Sequence, residues 1–308
     1  MIRKLMKRSY IAALALTFVM ISCKDQEVFE KEMYKNVAAL ISSNDHNTFQ
    51  ELISLSGEEV TGYIAASIGG THTSQHDIVI RLEEDDEPLA RYNRSLFDEE
   101  VSLYAHSLPS DRYEIDDYNI TIKSGERTGR TQIRLRADGL SPDSSYFIGL
   151  KVSEVEGGEL NPNKGTILYQ VLLSNPYASQ NSDDYYAMTG TVDEMVTAAN
   201  KKMFPLTSNS VRVIAGNETF ESNLADINRT AMVLEINEDN RVSIKPYNDI
   251  VITQLDDDPR YPNSFKQETI YGRTFNVFSL SYAYTIDGVT KLMKEELRMQ
   301  APNNNKKD

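Results

Sequence analysis

From Tyr34 onward the chain is a succession of short runs of β-branched and aromatic residues, each broken after a few positions by glycine, proline, asparagine or aspartate. Strands send successive side chains to opposite faces, so a run that alternates apolar with polar residues builds a half-buried strand. "RTQIRLR" is such a run, with Ile133 and Leu135 on one face and arginines on the other. "NVAALIS", "HNTFQELISLS", "EEVTGYIAASI" and "HDIVIRL" predict four strands before it. "YNITIKSGERTGRTQIRLRADGLSPDSSYFIGLKV" reads as three strands with two turns, and "TILYQVLL" ends the series. "ARYNRSLF" predicts a short helix. Strands at this spacing with turn residues between them are the pattern of an all-β sandwich, here spanning residues 34–176.

"SNPYASQNSDD" is polar, contains Pro176 and has no periodicity, which predicts a linker over 177–184. The second half, 185–300, is again rich in strands: "SVRVIAG", "TAMVLEI", "RVSIKPY" and "DIVITQL", with Asp239-Asn240 as a hairpin turn. "VDEMVTAANKKMF" has an amphipathic pattern and predicts a short helix. "GRTFNVFSLSYAYTI" predicts a long strand with Phe275, Val277, Ser279, Ser281 and Ala283 on one face and Asn276, Phe278, Leu280, Tyr282 and Tyr284 on the other, both apolar enough to be covered. Asp287-Gly288 then turns the chain and "TKLMKEELRM" returns as the last strand, before a polar tail at 301–308. A meander of antiparallel hairpins suggests an antiparallel β-barrel-like (lipocalin-like) domain or a second sandwich.

The first 22 residues have another logic. Arg3, Lys4, Lys7 and Arg8 precede an apolar run from Tyr10 to Ile21, the layout of a signal peptide. A spanning helix needs about 20 apolar residues, so the run is too short for one. Cys23 follows "VMIS", which resembles the lipobox of bacterial lipoproteins, although Met20 stands where that motif usually has leucine. Cys23 is the only cysteine, so no intramolecular disulfide can form, and lipidation accounts for its presence. Residues 23–33 then form a lipidated tether, and "KDQEVFEKE" within it resembles the surface-export signal of Bacteroidetes lipoproteins. The expected location is the outer membrane, held by the lipid and facing the cell exterior.

Charge narrows the partners. The chain carries −14, and loss of the four leading cations makes the remainder more acidic still. Nucleic-acid binding needs the opposite balance, and an anionic membrane would repel this body, so membrane contact is expected through the anchor only.

No pattern of residues points to catalysis, a metal or a cofactor. His72 and His76 in "GGTHTSQHD" would need a helix to act as paired ligands, and the flanking glycines predict a loop. The acidic pairs Asp116-Asp117, Asp183-Asp184 and Asp256-Asp257-Asp258 are neighbours in sequence and read as solvated turns, or at best a calcium loop at Asp256 to Asp258 that lacks a full ligand pattern. Glycoside hydrolysis needs two carboxylates roughly 5–9.5 Å apart across the bond, and neighbours on a strand point to opposite faces. The chain has no G-x-S-x-G, no P-loop and no dinucleotide fingerprint. Tyrosine is abundant at 17 while tryptophan is absent. An aromatic ring can stack on the C–H face of a sugar while polar neighbours read its hydroxyls. Candidate ligand residues are therefore Tyr185 and Tyr186 at the junction, Tyr247 in "KPYND", and Arg260, Tyr261 and Asn263 in "DDDPRYPN".

Several stretches carry a family resemblance: "VTGYIAASIGGTHTSQHDIVIRL", "LSPDSSYFIGLKV", "TILYQVLLSNPY", "FPLTSNSVRVIAG" and "GRTFNVFSLSYAYTID" with "MKEELR". The chain resembles the two-domain lipoproteins of Bacteroidetes polysaccharide-utilisation loci. In that family an Ig-like domain, also found beside family-18 glycoside hydrolases, precedes a β-barrel-like one. The resemblance implies glycan or oligosaccharide capture at the cell surface, beside an outer-membrane transporter complex. A structural or adhesive subunit of a surface assembly, without sugar binding, is the alternative.

Overall fold

The computed structural model describes residues 36–181, 183–218 and 223–301, and Cys23 with the expected signal peptide and tether lies outside them. The protein is all-β and two-domain. One core cluster closes with Leu173 and a second opens with Ala178.

In the first domain one sheet runs β10 (Glu159–Leu160), β1 (Val37–Leu40), β3 (Val60–Gly69), β8 (Thr128–Leu135), β6 (Tyr113–Ile115). The other runs β2 (Thr48–Ser54), β11 (Thr166–Ser174), β9 (Tyr146–Glu156), β4 (Ile78–Glu84), β7 (Asn119–Ile122), with β5 (His106–Ser107) beside β9. Alternation decides what faces inward: Ile64, Ala66 and Ile68 on β3, Ile78, Ile80 and Leu82 on β4, Ile133 and Leu135 on β8. Gly62 is required where the sheets approach, because a Cβ there would sit 2.3 Å from the Tyr169 hydroxyl. Helix α1 (Glu87–Phe97) lies on the outer face of the second sheet, where Leu89 and Tyr92 pack on Phe147 and Leu168. Asn93 fixes it by donating to the Ala105 carbonyl (2.9 Å) and accepting from the Ala105 N–H (2.8 Å).

In the second domain β13 (Met195–Lys201), β12 (Tyr186–Val192), β21 (Val289–Gln300) and β20 (Arg273–Ile286) pair in that order. β18 (Val251–Gln254) and β19 (Ser264–Ile270) share the far side of β20. β14 (Met203–Thr207), β15 (Ser210–Ile214), β16 (Ala231–Ile236) and β17 (Val242–Pro246) form the other sheet. The chain passes between sheets twice, from β13 into β14 and from β17 into β18, so the domain curves as a half-barrel. Phe278, Leu280, Tyr282 and Tyr284 of β20 fill it, and Val277 and Ser281 on its opposite face are buried too, so the strand is covered on both sides as its two apolar faces predict.

The expected helix in "VDEMVTAANKKMF" is a strand. Asp193 and Glu194 form the turn with φ of 47° and 69°, and β13 pairs with β12 along its whole length. Its Met195 and Val196 are exposed, so no amphipathic face is buried and the ladder decides the conformation. The helix that does form here, α2 (Leu224–Thr230), begins where Asn223 accepts from the Asp226 N–H at 2.9 Å.

Candidate ligand-binding clefts

The loop that carries "DDDPRYPN" leaves β18 and folds back over β20 and β21. Asn263 holds it there. It is buried, with φ of 50°, donates to the Leu255 carbonyl (2.8 Å) and Asp256 Oδ1 (3.0 Å), and accepts from the Ser281 N–H (2.7 Å). These bonds commit Asn263 to loop architecture. The loop bounds an open cleft of about 480 Å³ lined by Asp257, Asp258, Pro259, Arg260, Ser281 and Lys294. Lys294 donates to Asp258 Oδ2 at 2.7 Å, and with the Arg260 N–H it holds the Asp258 carboxyl below the usual carboxylate range. Arg260 reaches the cleft. Tyr261 is not part of its lining: its N–H donates to the Asp258 carbonyl (3.0 Å) and closes the loop.

The other tyrosines diverge. Tyr185 is 51% exposed, with the Lys202 ammonium 5.3 Å from its ring centroid. Tyr186 points into the half-barrel, against Phe278, and its hydroxyl donates to the Tyr177 carbonyl at 2.6 Å. Tyr247 donates to Asp143 Oδ2 at 2.7 Å, across the domain boundary. The six residues singled out in the sequence therefore do not converge on one site. Among the described residues no group of three His, Cys, Asp or Glu could hold a metal ion. Asp77, beside His76, is taken by Lys123 (2.8 Å) and the Ser124 N–H (2.9 Å).

The junction holds a different arrangement. Segment 174–181 is pinned on both sides. Asn175 donates to the carbonyls of Thr207 (2.7 Å) and Ser210 (2.9 Å). Gln180 accepts from the Leu173 N–H (2.7 Å) and donates to the Pro142 carbonyl (2.9 Å). Arg212 of β15 meets Asp143 of the first domain at 2.6 Å, with both side chains almost fully buried. Beside this clamp opens a cleft of about 250 Å³ lined by Gln50, Gln170, Gln180, Ser144, Ser145 and Phe204, with Asp143 of the clamp itself in its wall. β2 and β11 run parallel with Gln50 opposite Gln170, and Gln50 donates to Gln170 Oε1 at 2.9 Å. The Gln170 amide nitrogen and the Gln50 amide oxygen keep hydrogen-bonding capacity. Arg212 lies 4.3 Å from the Phe204 ring centroid and braces that ring from the second domain. A ring beside neutral amides and hydroxyls is suited to a polyol: the ring takes an apolar face and the amides both donate and accept. None of these residues stood out in the sequence. Gln50 lies between Phe49 and Glu51 and Gln170 between Tyr169 and Val171, and neither setting marks a ligand contact.

The architecture defines a class: two β domains locked at one junction, with open polar clefts on the surface. The chain belongs to a Bacteroidetes two-domain family, whose N-terminal domain model matches residues 29–159 and whose C-terminal model matches 165–298. No curated protein matches it. Solved structures share its fold. A multidomain protein including DUF1735 from Bacteroides ovatus superposes with a TM-score of 0.64 at 13% identity, covering 85% of this chain and 94% of that one. A second Bacteroides ovatus protein, of unknown function, gives 0.62 at 14%, covering 86% and 94%. An auxiliary nutrient binding protein from Bacteroides thetaiotaomicron gives 0.58 at 10%, covering 84% and 93%.

Proposed function

We propose that the protein is a lipid-anchored glycan-binding protein of the cell surface, which captures oligosaccharide for uptake by an outer-membrane transporter and does no chemistry on it. The observation that carries this reading is the junction cleft, where Gln50, Gln170 and Ser144 of one domain face Phe204 of the other. The nutrient-binding role named for a protein of the same fold supports it.

The test is calorimetry of residues 24–308 against a glycan panel. Phe204→Ala is expected to weaken binding of the best ligand by about 1–3 kcal/mol, the range for truncating a central aromatic contact. Unchanged affinity in that variant removes the ligand from the junction. No reducing sugar should be released from any polysaccharide by the pure protein, and turnover that is lost on replacing one Asp or Glu would overturn the binding-only reading. Cys23→Ser should move the protein from the detergent phase to the aqueous phase, because it removes the anchor.

A structural or adhesive subunit is the second reading, and β13 favours it. This edge strand carries no charge from Met195 to Asn200 and exposes Val196 by 90%. Such an edge is a template for strand addition by another chain.

A further inference from the structure

We propose that a second cleft, at the other end of the β2–β11 pair, takes the carboxylate of an acidic sugar, so that the captured glycan is an anionic one. The inference rests on the glycan reading above and names the ligand class for it.

The cleft has a volume of about 470 Å³ and lies between the β1–β2 loop, helix α1 and the turn that leads into β11. Its lining follows from the helix geometry. Leu89 and Tyr92 turn toward the sheet, so Pro88, Arg91 and Ser95, spaced by three and four, fall together on the flank that faces the loop. His46 and Asn47 line it from the loop, and Asn163 and Thr166 from the turn.

The loop is held in an uncommon shape. His46 and Asn47 have φ of 53° and 52°, two successive left-handed residues, neither of them glycine. The surroundings fix them there. Asn47 donates through Nδ2 to the Asn163 carbonyl (2.9 Å) and to Thr166 Oγ1 (3.2 Å), and its own carbonyl accepts from the Leu168 N–H (3.0 Å). The His46 ring sits edge-on to Tyr92, with centroids 5.3 Å apart. Strain that the surrounding structure maintains is an observation from which a site is inferred.

Charge selects the ligand. In a chain of net charge −14, the ionisable groups that line this cleft are His46 and Arg91, and both are basic. Glu87 approaches Arg91 only to 3.9 Å and lies closer to Arg94, at 3.2 Å, so its carboxylate does not fully occupy the Arg91 guanidinium. Asp45 precedes His46 in the same loop but does not line the cleft, and acids farther off than a Debye length of about 8–10 Å are screened. A guanidinium binds a carboxylate through two parallel hydrogen bonds, and the Asn163 amide stands beside it for the sugar ring, with Ser95, whose hydroxyl donates to the Tyr92 carbonyl (2.9 Å), left as an acceptor. The junction cleft, with its neutral amides, has no comparable exposed cation, so the two clefts differ in what they read.

The experiment is calorimetry of residues 24–308 with uronate oligosaccharides (galacturonate, glucuronate and mannuronate tetramers) and with their methyl esters, which keep the backbone and lose the charge. A sulfated neutral tetramer forms a separate arm. At least one uronate tetramer is expected to bind at least tenfold tighter than its ester. That preference should shrink between 50 and 500 mM NaCl, and Arg91→Ala should abolish it. Arg91 is well exposed, and circular dichroism with an unchanged melting temperature will show that the variant folds. Equal affinity for acid and ester, or a preference that survives Arg91→Ala, overturns the inference and leaves the glycan reading standing. So does binding of the sulfated tetramer alone. Failure of every charged and neutral glycan to bind overturns both.

Discussion

Glu295→Ala is expected to cost the second domain about 3–5 kcal/mol, the range for removing one partner of a buried ion pair. Glu295 is fully buried in the half-barrel, among Met293 and Leu297. Its Oε2 accepts from the Lys201 ammonium at 2.6 Å and its Oε1 from the Tyr282 hydroxyl at 2.7 Å, while the Tyr282 oxygen accepts from the Gly216 N–H at 2.8 Å. Alanine strands two donors in an apolar interior and leaves a void. Burial already lowers the Lys201 pKa, and without its carboxylate the lysine would shed its proton or bring water inside. The measurement is the urea midpoint at constant slope. The control is Lys201→Met with Glu295→Gln, which removes both charges and keeps an acceptor for Tyr282. This double variant should recover most of the loss, because paired removal of a buried ion pair is often neutral. A Glu295→Ala cost below about 1 kcal/mol would show that the pair carries no structural weight.

The same residue shows what sequence can and cannot reveal. In "TKLMKEELRM", period-two reading places Glu295 with Met293 and Leu297 on one face, so a buried carboxylate was implied once the strand was accepted. Its partner was not. Lys201 ends "MVTAANK", a run whose helix-like pattern hides a strand that only pairing with β12 stabilises. Strands such as "RTQIRLR" were legible because burial on alternate residues is local information. The clefts were not local. Gln50 and Gln170 meet through a parallel pairing that connects strands more than a hundred residues apart, and Phe204 joins them from another domain. Tyr186 and Asn263 have the polar ends that suggest ligand contact, yet the fold uses both internally. The loop "DDDPRYPN" was recognisable from its prolines, but which of its side chains would reach the cleft depended on Asn263 and Lys294.

Arg212→Met is expected to loosen the two domains at a similar cost of about 3–5 kcal/mol. Methionine fills much of the volume, so the loss would come from electrostatics. Asp143 would then lie buried with the Tyr247 hydroxyl as its remaining side-chain donor, where it now meets Arg212 at 2.6 Å and Tyr247 at 2.7 Å. Burial pushes the Tyr247 phenol up to about 12, so it stays a donor at neutral pH but brings no positive charge. Arg212 Nε and Nη1 have no hydrogen-bond partner among the described residues, so the guanidinium is held by Asp143 and by the rings of Phe204 and Tyr247, 4.3 and 5.8 Å away. Adding Asp143→Asn should restore docking, since asparagine still accepts from Tyr247 and needs no cation. Limited proteolysis within residues 174–184 should accelerate in Arg212→Met and return to the wild-type rate in the double variant. Glycan affinity should follow the same order, because the junction cleft takes Gln50, Gln170 and Ser144 from one domain and Phe204 from the other. Affinity that persists while proteolysis accelerates would place the ligand on a single domain, away from the junction.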